Sequence, residues 1–135
     1  MLKWKKVLKS ISLSIVFILL TTTNVHAQSE QHKGQTGIAS YYSSAFDGKK
    51  TASGEVFSSK KMTCASKQFP FGTFLLVTNL KNGETVVVRV NDFGPNIHGR
   101  ALDLSRSAAK KLDMLKSGTA KVSIEIVKKK DLEIS

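Results

Sequence analysis

The feature that most constrains the fold is an Asn-Gly pair at 82–83, which separates two apolar stretches, 73–78 (TFLLVT) and 85–90 (TVVVRV). Asn-Gly between apolar stretches is the strongest short-range signal for a β-hairpin, because both residues tolerate the positive φ of its turn. In the stretch 85–90 both alternating faces are largely apolar. A strand of this kind is expected in a small closed barrel, so the pair predicts a hairpin within such a barrel.

Three further stretches have the composition or the alternation of strands. Residues 37–42 (GIASYY) are rich in β-favouring side chains and predict a first strand, and 101–104 (ALDL) is short and mostly apolar. Residues 121–127 (KVSIEIV) alternate apolar and polar side chains, so we expect the even-numbered ones, up to Ile126, to point into the core. The whole pattern amounts to about five or six short strands.

One helix and one long loop complete the pattern. Ser105 is a good N-cap for a helix that runs to about Leu115, and Gly118 is its expected stop. Residues 43–61 are rich in Ser, Lys and Gly and predict a long surface loop, a kind of segment that often carries function. Because a sheet of short strands removes its exposed edges by closing, the sequence predicts a mainly β protein, a barrel with one packed α-helix and a long loop.

Residues 1–27 have the order of a secretory signal peptide and are not expected to contribute to the fold. Four lysines lie within residues 3–9, an uncharged apolar run fills 11–20, and Val25-His26-Ala27 ends the segment. The run is about half of the ~20 residues that a spanning helix needs, so a membrane anchor is the weaker interpretation. We expect cleavage between Ala27 and Gln28 and export to the periplasm, the cell envelope or the extracellular space. No cysteine comes directly after the run, so no lipid attachment and no stable membrane anchor are expected.

Beyond the expected cleavage point the chain divides into three parts. Residues 28–36 are polar and aperiodic and predict a disordered leader, 37–127 form the predicted barrel domain, and 128–135 are a charged tail. A domain of this size can bury its own core without disulfides, and we expect it to be a monomer.

Charge and cysteine content narrow the classes of partner and cofactor. The full chain carries a formal net charge of +11. Loss of the four signal-peptide lysines would leave about +7, so an exported form would meet anionic envelope polymers. A nucleic-acid partner is not expected, because no nucleic-acid-binding motif is present. The one cysteine, Cys64, excludes an internal disulfide and, with only three scattered histidines, predicts no metal site and no cofactor. We expect it to be a small buried hydrophobe.

A series of short motifs is the most specific signal in the chain. They are GIASYY at 37–42, KTASGE at 50–55, PFGT at 70–73, VTNL at 77–80, VRVNDFGP at 88–95, Gly99-Arg100 and Asp103-Leu104-Ser105. In this order and spacing the series resembles the rare lipoprotein A (RlpA) family of septal-ring lytic transglycosylases, over roughly residues 36–127. No single motif carries the resemblance, whereas the order of all of them does.

The resemblance implies a six-stranded double-psi β-barrel, a fold shared with expansins. It also implies a lyase that cuts peptidoglycan glycan strands internally between MurNAc and GlcNAc, leaves 1,6-anhydromuramic ends and prefers glycan poor in stem peptides. The alternative is a non-catalytic, expansin-like module that binds peptidoglycan, and a third is an envelope protein that uses only its positive surface. The carboxylates described next favour the enzyme. Ser66 stands where the family often has a histidine, and this favours the module.

Three carboxylates are the candidate catalytic residues. Glycosidic cleavage requires a proton for the leaving oxygen while positive charge builds up on the sugar ring. The sugar's own C6 hydroxyl can serve as the nucleophile, so one carboxyl can act first as acid and then as base. Asp92 is the first candidate because it ends an apolar strand, where partial burial favours the protonated form; the alternative is a turn cap. Glu55, in the long loop, matches the family's second acid. Asp103 would either serve the helix terminus or keep a neighbouring carboxyl protonated.

Five further residues are candidates for substrate binding. Tyr42 and Phe93 could stack on sugar faces. Arg89 and Arg100 could hold the lactyl carboxylate of muramic acid or pair with an aspartate. The Ser66 hydroxyl could form a hydrogen bond with a sugar or a carboxylate.

Overall fold

The computed structural model describes residues 34–134. The predicted signal peptide, and the predicted leader up to residue 33, lie outside the described residues. The elements in chain order are β1 (Gln35–Tyr41), a 3-10 helix (Ser44–Phe46), β2 (Thr63–Ser66), β3 (Phe74–Asn79), β4 (Thr85–Asp92), β5 (Arg100–Leu104), α1 (Arg106–Lys111), β6 (Ala120–Val127) and α2 (Lys129–Leu132).

The strands close into one barrel in the order β1-β5-β2-β4-β3-β6. β1 is parallel to β5 and β2 is parallel to β4, whereas the other neighbouring pairs are antiparallel. The predicted hairpin is confirmed, since β3 pairs with β4 and Gly83 in the connecting turn has a φ of 76°. The closed, mainly β barrel predicted from the sequence is therefore confirmed.

The barrel interior is an apolar core. Alternate residues of β4 face this core, as the pattern predicts: Val86, Val88 and Val90. Helix α1 packs Ala108 and Ala109 against the same cluster. Cys64 is fully buried in it, as expected, and burial raises the pKa of its thiol to about 12, so the thiol stays protonated and unreactive.

The first strand begins earlier in the chain than the sequence predicts, and the strand β2 is not predicted at all. The leader is expected to extend to residue 36, but Gln35 and Thr36 belong to β1 and pair with Ile124 and Ser123 of β6. Their backbone hydrogen bonds to β6 outweigh their polar composition. β2 has four residues, all buried, and a polar residue at each end, so it shows no alternation by which a sequence could reveal it.

Helix α1 is shorter than predicted. It ends at Lys111 instead of about Leu115, with Leu112 as its C-cap, and Asp113 adopts a φ of 53° that ends the helical backbone. The carbonyl of Leu112 instead accepts hydrogen bonds from side-chain amides of the β3–β4 connection. Contact with this hairpin therefore replaces the last predicted turn of the helix.

The C-terminal end of the described chain also differs from the prediction. Ile126 is 62% exposed and is not part of the core, because it lies beyond Ile124, the last residue of β6 that pairs with β1. In the predicted charged tail, α2 forms a short exposed helix. Within residues 34–134, no helix is long and apolar enough to cross a membrane.

The predicted long loop connects β1 to β2 and is folded on itself. A single bridge pairs Lys50 with Val56, and backbone hydrogen bonds link Gly48 to Phe57 and Thr51 to Glu55. The Phe57 side chain is 4% exposed, so it anchors the loop to the rest of the protein. An anchored loop of this kind can hold backbone groups in fixed positions at the barrel wall.

Candidate active site

The two predicted catalytic aspartates, Asp92 and Asp103, lie on the same wall of the barrel. Ala65 of β2 pairs with Asp92 of β4 on one side and with Asp103 of β5 on the other. Adjacent strands are about 4.8 Å apart, so the backbones of Asp92 and Asp103 are separated by roughly 10 Å across the sheet. Asp103 alternates with the buried Leu102 and Leu104 and therefore faces outward.

A β-bulge directs Asp92 to this outer face. Cys64 pairs with Val90 and both are in the core, but the next pair is Ala65 with Asp92, so Asn91 is an extra residue in β4. Without this shift, strict alternation would send the side chain at 92 inward with that of Val90. Bulges commonly re-aim side chains near active sites, and here the bulge brings Asp92 to the face that carries Asp103.

The Asp92 carboxyl is held by three donors from three segments. The Tyr42 hydroxyl donates to Oδ2 at 2.6 Å. The backbone N–H groups of Ala52 and Phe93 donate to Oδ1 at 2.8 and 2.9 Å. The end of β1, the long loop and the turn after β4 therefore fix this carboxyl together, which is what precise proton transfer requires.

Tyr42 is predicted to stack on sugar, and the structure gives its ring and hydroxyl specific protein partners. The ring contacts those of Phe46 and Phe57, with centroids 5.5 and 4.7 Å away. Burial, followed by the hydrogen bond to Asp92, raises the pKa of the Tyr42 phenol far above its ordinary range. The charge of Asp103 acts in the same direction, so the phenol stays protonated and always donates.

Asp103 is held by a residue that the sequence analysis misses. The Ser40 hydroxyl donates to Oδ1 of Asp103, and Ser40 is 4% exposed. The two residues are directly paired between β1 and β5. Ser40 lies within the GIASYY motif, but its role depends on a register between strands far apart in the sequence, which no local signal reveals.

Glu55 forms an ion pair with Arg89 of β4. Its Oε1 accepts a hydrogen bond from Nη2 of Arg89 at 2.7 Å, the only ion pair among residues 34–134. This bond lowers the pKa of Glu55, and the Asn91 side chain contributes in the same direction. Glu55 is therefore ionised at neutral pH. The Arg89 guanidinium binds this carboxylate of the long loop, so it is not free to bind the anion of a substrate.

The other three predicted binding residues differ in exposure and in position on the barrel. Phe93 follows Asp92 directly and is 59% exposed, with Nζ of Lys67 5.9 Å from its ring centroid. Ser66 is 1% exposed, and its hydroxyl accepts the N–H groups of residues 68 and 69. Arg100 begins β5, three residues and roughly 10 Å from Asp103 along the strand.

The ionisable side chains of residues 34–134 do not gather into a cluster suited to a metal ion. No group of three or more His, Cys, Asp or Glu side chains within this range is arranged to hold one.

The closed six-stranded barrel, in which two neighbouring strand pairs are parallel and the others antiparallel, places the chain in the class of double-psi β-barrel proteins. Residues 34–124 match the family model described as "Lytic transglycolase". The chain belongs to this family. This confirms the family and the barrel type that the motif series implies.

Named relatives and solved structures agree with this assignment. The chain is 50% identical over 91 residues to "Endolytic peptidoglycan transglycosylase RlpA" from Campylobacter jejuni subsp. jejuni, a match that covers 67% of this chain and 33% of the relative. The chain thus spans about a third of the length of the curated relatives it matches.

Among solved structures, a Clavibacter michiganensis expansin mutant in complex with cellohexaose is similar with a TM-score of 0.56 and 27% identity, over 70% of this chain and 51% of that one. The Streptomyces papain inhibitor is similar in fold, with a TM-score of 0.58 and 24% identity, over 72% of this chain and 96% of that one.

Proposed function

We propose that this chain is an endolytic peptidoglycan lytic transglycosylase, which cleaves glycan strands between MurNAc and GlcNAc and leaves 1,6-anhydromuramic ends. The observation that carries the proposal is the Asp92 carboxyl, held by three donors on the same wall as Asp103. The names of the RlpA relatives support the same reaction. Preference for glycan poor in stem peptides is part of the proposal.

Asp92 acts as the general acid and then as the general base. It donates its proton to the glycosidic oxygen as the C1–O bond breaks and positive charge develops at the muramic acid C1. The C6 hydroxyl of the same sugar attacks C1, and its proton returns to Asp92. The carboxyl is thereby regenerated, and no water is consumed.

Tyr42 and Asp103 support this cycle electrostatically. While Asp92 is ionised, the protonated Tyr42 hydroxyl donates to its Oδ2, and a hydrogen bond to a charged acceptor is stronger than one to a neutral acceptor. Asp103, oriented by Ser40, supplies the second negative charge near which the positive sugar ring is stabilised.

Glu55 is assigned a positioning role in place of the predicted catalytic one. Its ion pair with Arg89 fastens the long loop to β4. The same loop presents the Ala52 N–H that holds Asp92. Arg89 is accordingly assigned to the loop and not to the lactyl carboxylate.

The exposed Phe93 ring is the proposed sugar-stacking surface next to Asp92. The proposed partner is peptidoglycan, and nucleic acid is not proposed as one. The protein is proposed to act as a monomer after export to the periplasm or the cell envelope, with residues 1–27 removed as a signal peptide.

A non-catalytic, expansin-like module is the second candidate. The similarity to an expansin crystallised with cellohexaose favours it, as does Ser66 in the position where the family often has a histidine. Such a module would bind glycan by stacking sugar rings on Phe93 and would not cleave it.

The two candidates are separated by incubating the purified protein with intact peptidoglycan and with glycan stripped of stem peptides. Mass spectrometry of the soluble fraction should detect anhydromuramic ends, and Asp92→Asn should reduce their rate of formation by about 10²–10⁴-fold. Asp131→Asn, the same change in the exposed helix α2, is the control and should leave the rate unchanged. Binding of the stripped glycan without any soluble product would favour the module instead.

A further inference from the structure

A cavity of about 670 Å³ lies between the β3–β4 connection and the segment that joins α1 to β6. Ligand-binding pockets commonly measure about 300–1,000 Å³. The cavity is lined at the end of β3 by Asn79, whereas Asp92 lies at the far end of β4, which is antiparallel to β3. The eight residues from Thr85 to Asp92 span roughly 23 Å, so the cavity is separate from the aspartate site.

The walls of this cavity are held by hydrogen bonds within the protein. Side-chain amides of Asn79 and Asn82 both donate to the Leu112 carbonyl, at 2.9 and 3.1 Å. The Ser117 hydroxyl is 3.1 Å from the Met114 carbonyl and 2.9 Å from the Thr119 carbonyl. These groups are engaged in the fold, so they shape the cavity and leave recognition to other side chains.

Three lysines supply the positive charge of the lining. Lys81 comes from the hairpin, Lys116 from the α1–β6 segment and Lys121 from β6, and all three line the cavity. Within the described part of the chain, none of them forms an ion pair. Among the described residues that line the cavity, Asp113 is the one carboxylate, so the lining carries three positive side chains and one negative one. An anion in the cavity would be attracted by this net positive charge.

We propose that this cavity binds a phosphate group of an anionic, phosphodiester-linked envelope polymer. Lysine binds phosphate as a mobile point charge, and three ammonium groups from three segments can contact several oxygens of one tetrahedral group. A carboxylate offers only two oxygens. Because the site lies away from Asp92, it adds a second contact to the envelope and does not depend on the proposed glycan cleavage.

The test is a titration of ¹⁵N-labelled protein with inorganic phosphate, followed by a soluble glycerol phosphate polymer, monitored by NMR. We expect saturable shifts at the backbone amides of Asn82, Ser117 and Lys121. The triple variant Lys81→Gln, Lys116→Gln, Lys121→Gln should weaken binding by about tenfold, since each exposed charge contact is individually modest.

The matched control removes the same charge elsewhere, at Lys128, Lys129 and Lys130, and should change binding less than about twofold. Equal losses in both triple variants would overturn the proposal, because they would indicate general attraction of a basic protein to anions. The absence of saturable shifts would overturn it as well.

A second arm uses vesicles of phosphatidylcholine with three-tenths phosphatidylglycerol, because the exposed Leu80 side chain adjoins Lys81 and could insert into lipid. Cavity-dependent binding of the polymer supports the proposal, whereas cavity-dependent binding of vesicles alone overturns the polymer assignment. Asp92→Asn should bind phosphate normally, so the failure of this proposal and of the glycan-cleavage proposal are distinguishable.

Discussion

The hydroxyl of Tyr42 lies 2.6 Å from Oδ2 of Asp92, although 50 residues separate them in the chain. Tyr42 follows β1 and Asp92 ends β4, so the contact exists only when the barrel is closed and the bulge in β4 is formed. The proposed acid therefore depends on a residue whose ring contacts those of two phenylalanines.

Tyr42→Phe should therefore reduce kcat/KM on stripped glycan by about 10–100-fold, because a hydrogen bond to a charged group contributes about 1.5–3 kcal/mol. The ring and its packing are kept, so the loss in the free energy of unfolding should not exceed the contribution of this one hydrogen bond, about 1.5–3 kcal/mol. The control is Tyr41→Phe, which deletes a phenol hydroxyl that donates to the Leu115 carbonyl at 2.8 Å, away from Asp92. If both variants lost the same activity, a specific role of Tyr42 would be excluded.

The Glu55–Arg89 ion pair should make stability depend on pH in the acid range. The pKa of Glu55 is lower in the folded protein than in the unfolded chain, mainly through the hydrogen bond from Arg89. Its stabilising effect is therefore present above the unfolded pKa, about 4.3, and is lost as the pH falls through the folded pKa.

Both side chains are about a third exposed, so we expect no more than about 1 kcal/mol from the pair at pH 7. Urea denaturation of the wild type and of Glu55→Gln should show this difference at pH 7 and a vanishing one near pH 3. Glu84→Gln, at an exposed glutamate with no ion-pair partner among residues 34–134, should show no such trend. If the difference in the free energy of unfolding between the wild type and Glu55→Gln increased towards pH 3, a stabilising Glu55–Arg89 ion pair would be contradicted.

Gly37 is required by the close approach of β1 to β5. A Cβ at this position would lie 2.6 Å from Cβ of Ala101, a distance that forces the strands to shift. Gly37→Ala should cost about 1–3 kcal/mol in the free energy of unfolding. At Gly34 a Cβ would meet the flexible Glu125 side chain first, so Gly34→Ala is the control and should cost less. Chemical denaturation measures both, and equal costs would argue against the strand contact.

Ser66 is expected to matter for stability more than for substrate contact. Its buried hydroxyl accepts two backbone N–H groups, so Ser66→Ala should cost about 1–2 kcal/mol, measured by chemical denaturation. Ser58→Ala removes a single hydrogen bond, accepted from an exposed backbone N–H, and should cost less than about 0.5 kcal/mol. A kcat/KM loss in Ser66→Ala without any loss of stability would return Ser66 to the substrate-binding residues.

The sequence predicts those parts of the fold whose signals are local. Asn82-Gly83 predicts the hairpin and the alternation along β4 predicts its buried face, because both signals lie within a few residues. β2 escapes prediction because four buried residues without alternation carry no period. Ile126 follows the alternation but is exposed, because the end of the neighbouring strand decides its burial.

The candidate site likewise has features that the local sequence predicts and features that depend on contacts between distant segments. The position of Asp92 at a strand end is visible in the sequence, whereas its outward direction depends on the extra residue Asn91 and on pairing with β2. The Ser40–Asp103 and Glu55–Arg89 contacts join residues more than 30 positions apart. Only the register of the closed barrel brings such residues together, and no local pattern encodes it.

The long loop binds Asp92 through the main-chain N–H of Ala52 and not through a side chain. A mutational scan would therefore record position 52 as tolerant, since almost any side chain keeps the amide. Proline is the one natural replacement that lacks it. Variation at this position thus carries little information about its importance, and a position that tolerates change can still lie within the machinery of an enzyme.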